Sequence, residues 1–151
     1  APAVKWPNDV MIDGRKVSGI LVESSVAGGG SNFAVVGIGL NVNLDPSAFP
    51  EIESLATSLL RETGAPLDRT AVLLALLSRL DSLYGDVRRG RSLTDEWADR
   101  LETLGRSVRV RWGDRLLEGR ATGVDEDGNL LLAQPDGSTV KVVAGEVTLQ
   151  V

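Results

Sequence analysis

Val4-Lys5-Trp6-Pro7-Asn8-Asp9-Val10, near the start of the chain, is the stretch on which the reading of the rest depends. Lys5 follows an apolar residue and comes just before a Trp-Pro step, and proline holds the residue before it extended. Asn8 and Asp9 come next, with short side chains that bond back to the backbone and favour a turn. The segment reads as the end of a strand that carries one ammonium to a defined point and then bends. Lysine suits that place as a compact point charge able to meet a carboxylate or a phosphate. Alone, the heptapeptide also fits an ordinary strand end with a solvated lysine.

Working outward, residues 3–12 form a strand broken at Pro7, with Val4 and Trp6 on one face. Asp13-Gly14 is a hairpin signal, and Arg15 to Glu23 returns as the partner strand. That return carries Gly14-Arg15-Lys16-Val17-Ser18-Gly19-Ile20-Leu21-Val22-Glu23. Ala27-Gly28-Gly29-Gly30-Ser31-Asn32 is a flexible surface loop. Phe33 to Asn43 is a third strand, with Ala34-Val35-Val36 a buried run and Gly37, Gly39 and Asn41 along a side that something approaches closely.

In this order and with these gaps, Lys5–Asp9 (KWPND), the block at 14–23 and Gly37–Asn43 (GIGLNVN) resemble the second half of the catalytic domain of a biotin–protein ligase. The resemblance implies activation of biotin with ATP to biotinyl-5'-AMP, then transfer of biotin to a lysine of the biotin carboxyl carrier domain of a carboxylase. Carboxylate activation brings two anions together, and a lysine at the reaction centre offsets their repulsion. Lys5 is therefore the expected catalytic residue, contacting the biotin carboxylate and the adjoining phosphate. The backbone of Gly19, Ile20 and Leu21 is expected beside biotin. Asn41, whose amide offers both a donor and an acceptor, is expected at adenine together with Gly39. Trp6, Asn8 and Asp9 support the lysine strand, and Glu23 is a weaker candidate. Mg2+ is expected with ATP, but no ligand for it is assigned in this chain.

Two departures qualify the resemblance. The glycine- and arginine-rich loop of the family is absent, and Arg88-Arg89-Gly90-Arg91 reads instead as a solvated helix end. The chain is accordingly expected to be the C-terminal part of a longer enzyme and inactive alone. Gly145-Glu146-Val147-Thr148-Leu149 matches a family segment at the far end, yet Gln150 stands where an arginine is usual. Lys16-Val17-Ser18-Gly19 fits lipoate–protein ligases too, a rival that the KWPND block opposes. A non-catalytic protein-interaction module is a rival of another class. The Gly37–Val42 stretch is not a dinucleotide fingerprint, because Val42 replaces the third glycine and no helix opens there.

Beyond the third strand, Glu51 to Glu62 places Ile52, Leu55, Ala56, Leu59 and Leu60 at helical spacing before Gly64. Asp68 caps a second helix from Arg69 to about Val87, whose stripe of Val72, Leu73, Leu76, Leu77, Leu80, Leu83 and Tyr84 is expected to be core. Ser92 and Asp95 form a capping box for a third, with Leu93, Trp97, Leu101 and Leu104 as its stripe and Gly105 as its stop. After Gly105 the apolar period changes to two, with turns at Gly113-Asp114, Asp127-Gly128-Asn129 and Asp136-Gly137. The expected fold class is α+β: part of a class II synthetase-like catalytic domain with a mixed sheet and helices (1–105), then a small all-β SH3-like barrel (106–151).

Composition narrows the chemistry. The 151 residues are 42% hydrophobic and 25% charged, a globular balance. A net charge of −5 argues against nucleic acid as a partner of this chain. With neither cysteine nor histidine there is no disulfide, thiolate metal site or histidine-based acid–base catalysis. No apolar run is long enough for a membrane span, so the expected location is cytoplasmic. The hairpin from Val10 to Val17 offers an edge for a homodimer.

Overall fold

Asp13 and Gly14 both hold positive φ, 48° and 75°, and reverse the chain between β2 (Asp9–Ile12) and β3 (Arg15–Ser25). Ile12 faces Arg15, so the hairpin closes with a two-residue turn as the sequence expects. The computed structural model describes residues 1–25 and 33–149; the loop expected at Ala27–Asn32, and Gln150 and Val151, lie outside the described residues. Contacts divide the chain into two units, Ala1–Pro2 with Asn8–Arg69, and Ala3–Pro7 with Thr70–Val151. That division differs from the change of apolar period at Gly105.

The strand expected over 3–12 is two strands, β1 (Pro2–Lys5) and β2, separated by a turn at 6–8 with a cis Trp6–Pro7 bond. In the first unit β3 pairs antiparallel with β4 (Phe33–Leu40), from Ser18 opposite Leu40 to Ser25 opposite Phe33. The third strand thus stops at Leu40, not at Asn43. Its Ala34-Val35-Val36 run is exposed instead of buried, Val35 at 57% and Val36 at 47%. Among the described residues β4 is an edge of its sheet, paired with β3 alone.

The helix expected over 51–62 is also corrected. Residues 51–55 are turns, Ala56 bridges Lys16, and only α1 (Leu59–Thr63) is helical. The backbone explains it: Lys16 N–H donates to Leu55 O at 2.8 Å and Thr57 N–H to Lys16 O at 2.9 Å, which draws 55–57 out as a partner of β3. Ser58 then caps the new helix by accepting from Arg61 N–H, and Gly64, at φ 76°, ends it where expected. Met11, Val17, Pro46 and Ala56 are the buried apolar residues among those described in this unit.

α2 (Arg69–Arg88), in the second unit from Thr70 on, has nearly the expected bounds, but none of its residues is buried. Of its expected apolar stripe, Leu73, Leu77, Leu80 and Tyr84 are 42% to 62% exposed, while Val72, Leu76 and Leu83 are half-buried. Helical period records what a helix could bury, and among the described residues this stripe is only partly covered. α3 (Thr94–Ala98) lacks the expected capping box: the Ser92 hydroxyl accepts from the N–H of Thr94, two residues on, and Leu93 holds the cap position. The core lies in β5 (Ser107–Trp112), β6 (Arg115–Val124), β7 (Leu130–Ala133), β8 (Thr139–Val142) and β9 (Glu146–Leu149). These form one antiparallel sheet in the order β8-β7-β6-β5-β9. Val108, Val110, Ala121, Leu130, Leu132, Val142 and Val147 point inward, fully or almost fully buried, while Arg109 and Arg111 point out. Among the described residues no pairing joins β8 to β9, so the closure expected of a barrel is not seen.

Candidate functional site

Register places small residues in a row across the first unit's sheet. Asp9 lies opposite Gly19 and Gly19 opposite Gly39, while Leu21 lies opposite Gly37. Cross-strand partners share a face, so Asp9, Gly19, Leu21, Gly37 and Gly39 line one side together. They belong to an open pocket of about 670 Å³ that Asn8, Lys16, Ile20 and Asn41 also line. That volume is in the range of small-molecule sites. A Cβ on Gly37 or Gly39 would come no nearer than 3.8 Å to a carbonyl, so packing in this structure does not demand glycine at either position. What their glycines do is leave bare backbone as the floor of the pocket.

The rim is fixed by polar contacts. Asn8 Nδ2 donates to Ile20 O at 2.6 Å, and Ile20 N–H donates back to Asn8 O at 3.1 Å. Asp9 Oδ1 pairs with Lys16 Nζ at 2.6 Å. Asn41, just past β4, donates its side-chain amide to Thr57 O at 3.0 Å, and its backbone N–H to Val17 O. One of its two amide functions is thus committed to holding the strand end. Of the expected site residues, Asn8, Asp9, Gly19, Ile20, Leu21, Gly39 and Asn41 meet in this pocket. Glu23, on the same strand, is exposed.

Lys5 and Trp6 belong to the second unit. Lys5 ends β1 half-buried, between two anchored neighbours. Val4 exchanges backbone bonds with Arg100 O and Glu102 N–H at 2.8 and 2.9 Å. Trp6 is 2% exposed in the unit's core, and its backbone N–H donates to Thr103 Oγ1 at 2.9 Å. Among the described residues Lys5 makes no ion pair. Arg89 and Arg91 both hold Asp86, at 2.5 and 2.7 Å, and their hydrogen bonds lower its carboxyl pKa.

Sequence reasoning passed over Lys16 as a pocket residue, and over the depth at which Trp6 is held. An irregularity in the β2–β3 register between Val10 and Met11 sets the face on which Lys16 lies, and that irregularity has no signature in the residues themselves. Among the described residues no group of three carboxylate or other ligand side chains could hold a metal ion. The pocket's one carboxylate is Asp9, already paired, so these residues do not form a magnesium site by themselves.

Residues 2–43 match the model of the biotin/lipoate A/B protein ligase family, and residues 103–149 match that of the biotin protein ligase C terminal domain. The bifunctional ligase/repressor BirA of Bacillus subtilis is 32% identical over 149 residues, covering 97% of this chain and 46% of the relative. The biotin–[acetyl-CoA-carboxylase] ligase of Paracoccus denitrificans is 37% identical over 155 residues, covering 96% and 62%. Among solved structures, the biotin protein ligase from Aquifex aeolicus in complex with biotin and ATP aligns with TM-score 0.78 at 31% identity, covering 99% of this chain and 62% of that one. The chain spans about half the length of the first of these relatives.

Proposed function

The chain belongs to the biotin protein ligase family, and on that premise we propose that the complete polypeptide carrying it is an ATP-dependent biotin–protein ligase. In the first step a biotin carboxylate oxygen attacks the α-phosphorus of ATP; the new P–O bond forms as the bond to the β-phosphate oxygen breaks, and pyrophosphate leaves. In the second, the amine of a lysine on a carboxylase's biotin carboxyl carrier domain attacks the carbonyl of the mixed anhydride, and AMP leaves. Lys5 offsets the negative charge of the first step, held at its strand end by Val4 and Trp6. The backbone of Gly19, Ile20 and Leu21 lies along biotin. Gly39 and Asn41 take the adenine, Asn41 through the amide oxygen that its bond to Thr57 leaves over.

The observation that carries this reading is the bare backbone of Gly37 and Gly39 on the floor of an open pocket, where packing does not call for glycine, with Gly19 beside Gly39 in register. A flat ring system can approach backbone there more closely than any side chain would allow. The match to a biotin ligase C-terminal domain favours biotin over lipoate. Magnesium normally reaches such a site on the phosphates of ATP; the residues here do not form a set for it, and no step is routed through it. Residues 1–105 would be catalytic and 106–151 an SH3-like appendage, in a cytoplasmic enzyme able to pair through the Val10–Val17 hairpin.

The test is a carrier-domain assay with the complete polypeptide, ATP, and either biotin or lipoate. ATP-dependent addition of biotin to the carrier lysine is the expected result. Transfer of lipoate alone would move the protein to the neighbouring branch. No transfer, with no ATP- or biotin-dependent shift in melting temperature, would leave a protein-interaction module.

A further inference from the structure

Val4 and Leu101 form a parallel bridge: Val4 N–H donates to Arg100 O at 2.8 Å, and Glu102 N–H donates to Val4 O at 2.9 Å. Were that ladder to run one step further, Trp6 N–H would donate to Glu102 O. It does not. The chain turns over residues 102–105, and Trp6 N–H donates instead to the side chain of Thr103, whose Oγ1 lies 2.9 Å away. Thr103 is fully buried and Trp6 almost so. Pro7 has no N–H, so the Trp6 donor is the last on the main chain before the bend. It belongs to the peptide plane that joins Lys5 to Trp6. A hydroxyl, and not the ladder, therefore sets where the backbone of Lys5 ends.

Filling space does not account for a threonine here, because valine has nearly the same shape. What the hydroxyl adds is the acceptor. The Lys5 side chain is half-buried and makes no ion pair among the described residues, which leaves its direction to the backbone that carries it. We propose that Thr103 is a positioning residue for Lys5: its hydroxyl holds the Lys5–Trp6 peptide plane and so aims the ammonium at the charge that develops as the carboxylate attacks. The inference rests on the ligase reading for the reaction that Lys5 serves. The assignment of Thr103 comes from the bond that replaces the ladder. A misplacement of about 1 Å at a reacting group can cost about a hundredfold in rate, so a single hydroxyl at this point has room to matter.

The experiment uses the complete polypeptide as parent, Thr103→Val, Thr103→Ser, Thr103→Cys, Lys5→Ala and the double variant Lys5→Ala with Thr103→Val. Single-turnover formation of biotinyl-adenylate is measured where each form is folded, together with Kd for ATP and biotin by calorimetry and amide hydrogen exchange at Val4 and Trp6. Thr103→Val should slow adenylation about tenfold or more while both Kd values stay within about twofold. Thr103→Ser keeps the acceptor and should keep the parent's rate even where its melting temperature falls; a merely structural role would tie rate to stability. On the Lys5→Ala background the valine should add nothing, because its effect runs through the lysine. Exchange at Trp6 should quicken in Thr103→Val while that at Val4 holds. A parent-like rate in Thr103→Val would overturn the assignment. Should that variant not fold, serine and cysteine decide: a thiol fits the same space but accepts weakly, so a slower cysteine form supports the proposal and equal rates overturn it. Failure of the parent to form any adenylate would instead sink the ligase reading. Exchange then decides about Thr103: faster exchange at Trp6 alone in Thr103→Val or Thr103→Cys supports its hold on Lys5, and unchanged exchange overturns it.

Discussion

The indole N–H of Trp6 donates to the carbonyl of Gly128 at 2.9 Å, across 122 positions of sequence. With the bond from Trp6 N–H to Thr103 Oγ1, it fixes the residue after Lys5 to the second unit's core from two directions. Trp6→Phe keeps most of the apolar volume but strands the carbonyl, at a cost of about 1–3 kcal/mol. Trp6→Ala adds a cavity and should cost about 3–5 kcal/mol. Urea unfolding measures both, and equal midpoints for the parent and Trp6→Ala would show that this anchor is not a core element.

Lys5 is the opposite case, a side chain with little packing to lose. Lys5→Ala in the complete polypeptide should leave the unfolding midpoint nearly unchanged while abolishing most adenylate formation. Lys5→Arg should also be poor, since a planar fork replaces a point charge. Single-turnover measurement of biotinyl-adenylate is the check; a rate near the parent's in the alanine variant removes Lys5 from the reaction.

What could be read in advance was whatever local chemistry dictates. Asp13-Gly14 encodes its own turn, Gly64 its own helix stop, and the alternation of Val108 and Val110 with Arg109 and Arg111 its own strand. The misreadings share one cause, which is that distant partners decide. Ala56 sits in a helical pattern, yet β3 claims its backbone. Val35 and Val36 have the composition of a buried strand, but their strand is an edge. At the site, the glycines and Asn41 could be placed from motif spacing, whereas Lys16, legible only as part of the Lys16–Gly19 segment, could not be placed in the pocket. Its direction depends on a shift of register between two strands, which is a property of the pairing and not of either strand alone.

Asp125 supplies a pH test. Its carboxylate accepts from Lys141 Nζ at 2.6 Å and from the side chain and backbone of Asn129, and these bonds, the Lys141 one foremost, hold its pKa far below the ordinary 3.8. A depressed folded-state pKa means that the contribution to stability is full above the unfolded value and is lost as pH falls through the folded one. The gap in urea midpoint between the parent and Asp125→Asn should therefore be widest near neutrality and narrow steadily below about pH 4. Lys141 is raised by the same pair, so its share fades only as pH rises past its ordinary 10.5. A gap of constant size from pH 7 to pH 2 would show that the charge of Asp125 contributes nothing.

The exposed apolar residues of β3 and β4 lead to the last expectation. Leu21, Val22, Phe33, Val35 and Val36 are between 47% and 71% exposed, and among the described residues β4 is an edge with a strand neighbour on one side only. Contiguous apolar surface beside an open edge favours association. The 151-residue chain should therefore self-associate with rising concentration, which sedimentation velocity would read directly. Register tells which substitution to try on each face. Val36 lies opposite Val22, so Val36→Lys places a charge on a purely apolar pair. Val35 lies opposite Glu23, so Val35→Lys gains an opposite-charge partner across the strands and should keep the pairing intact. If association runs along the β4 edge, either lysine should suppress it; if it runs through one face, only the lysine on that face should. A chain that stays monomeric at every concentration reached would mean that these residues are not adhesive, and neither lysine would then change anything.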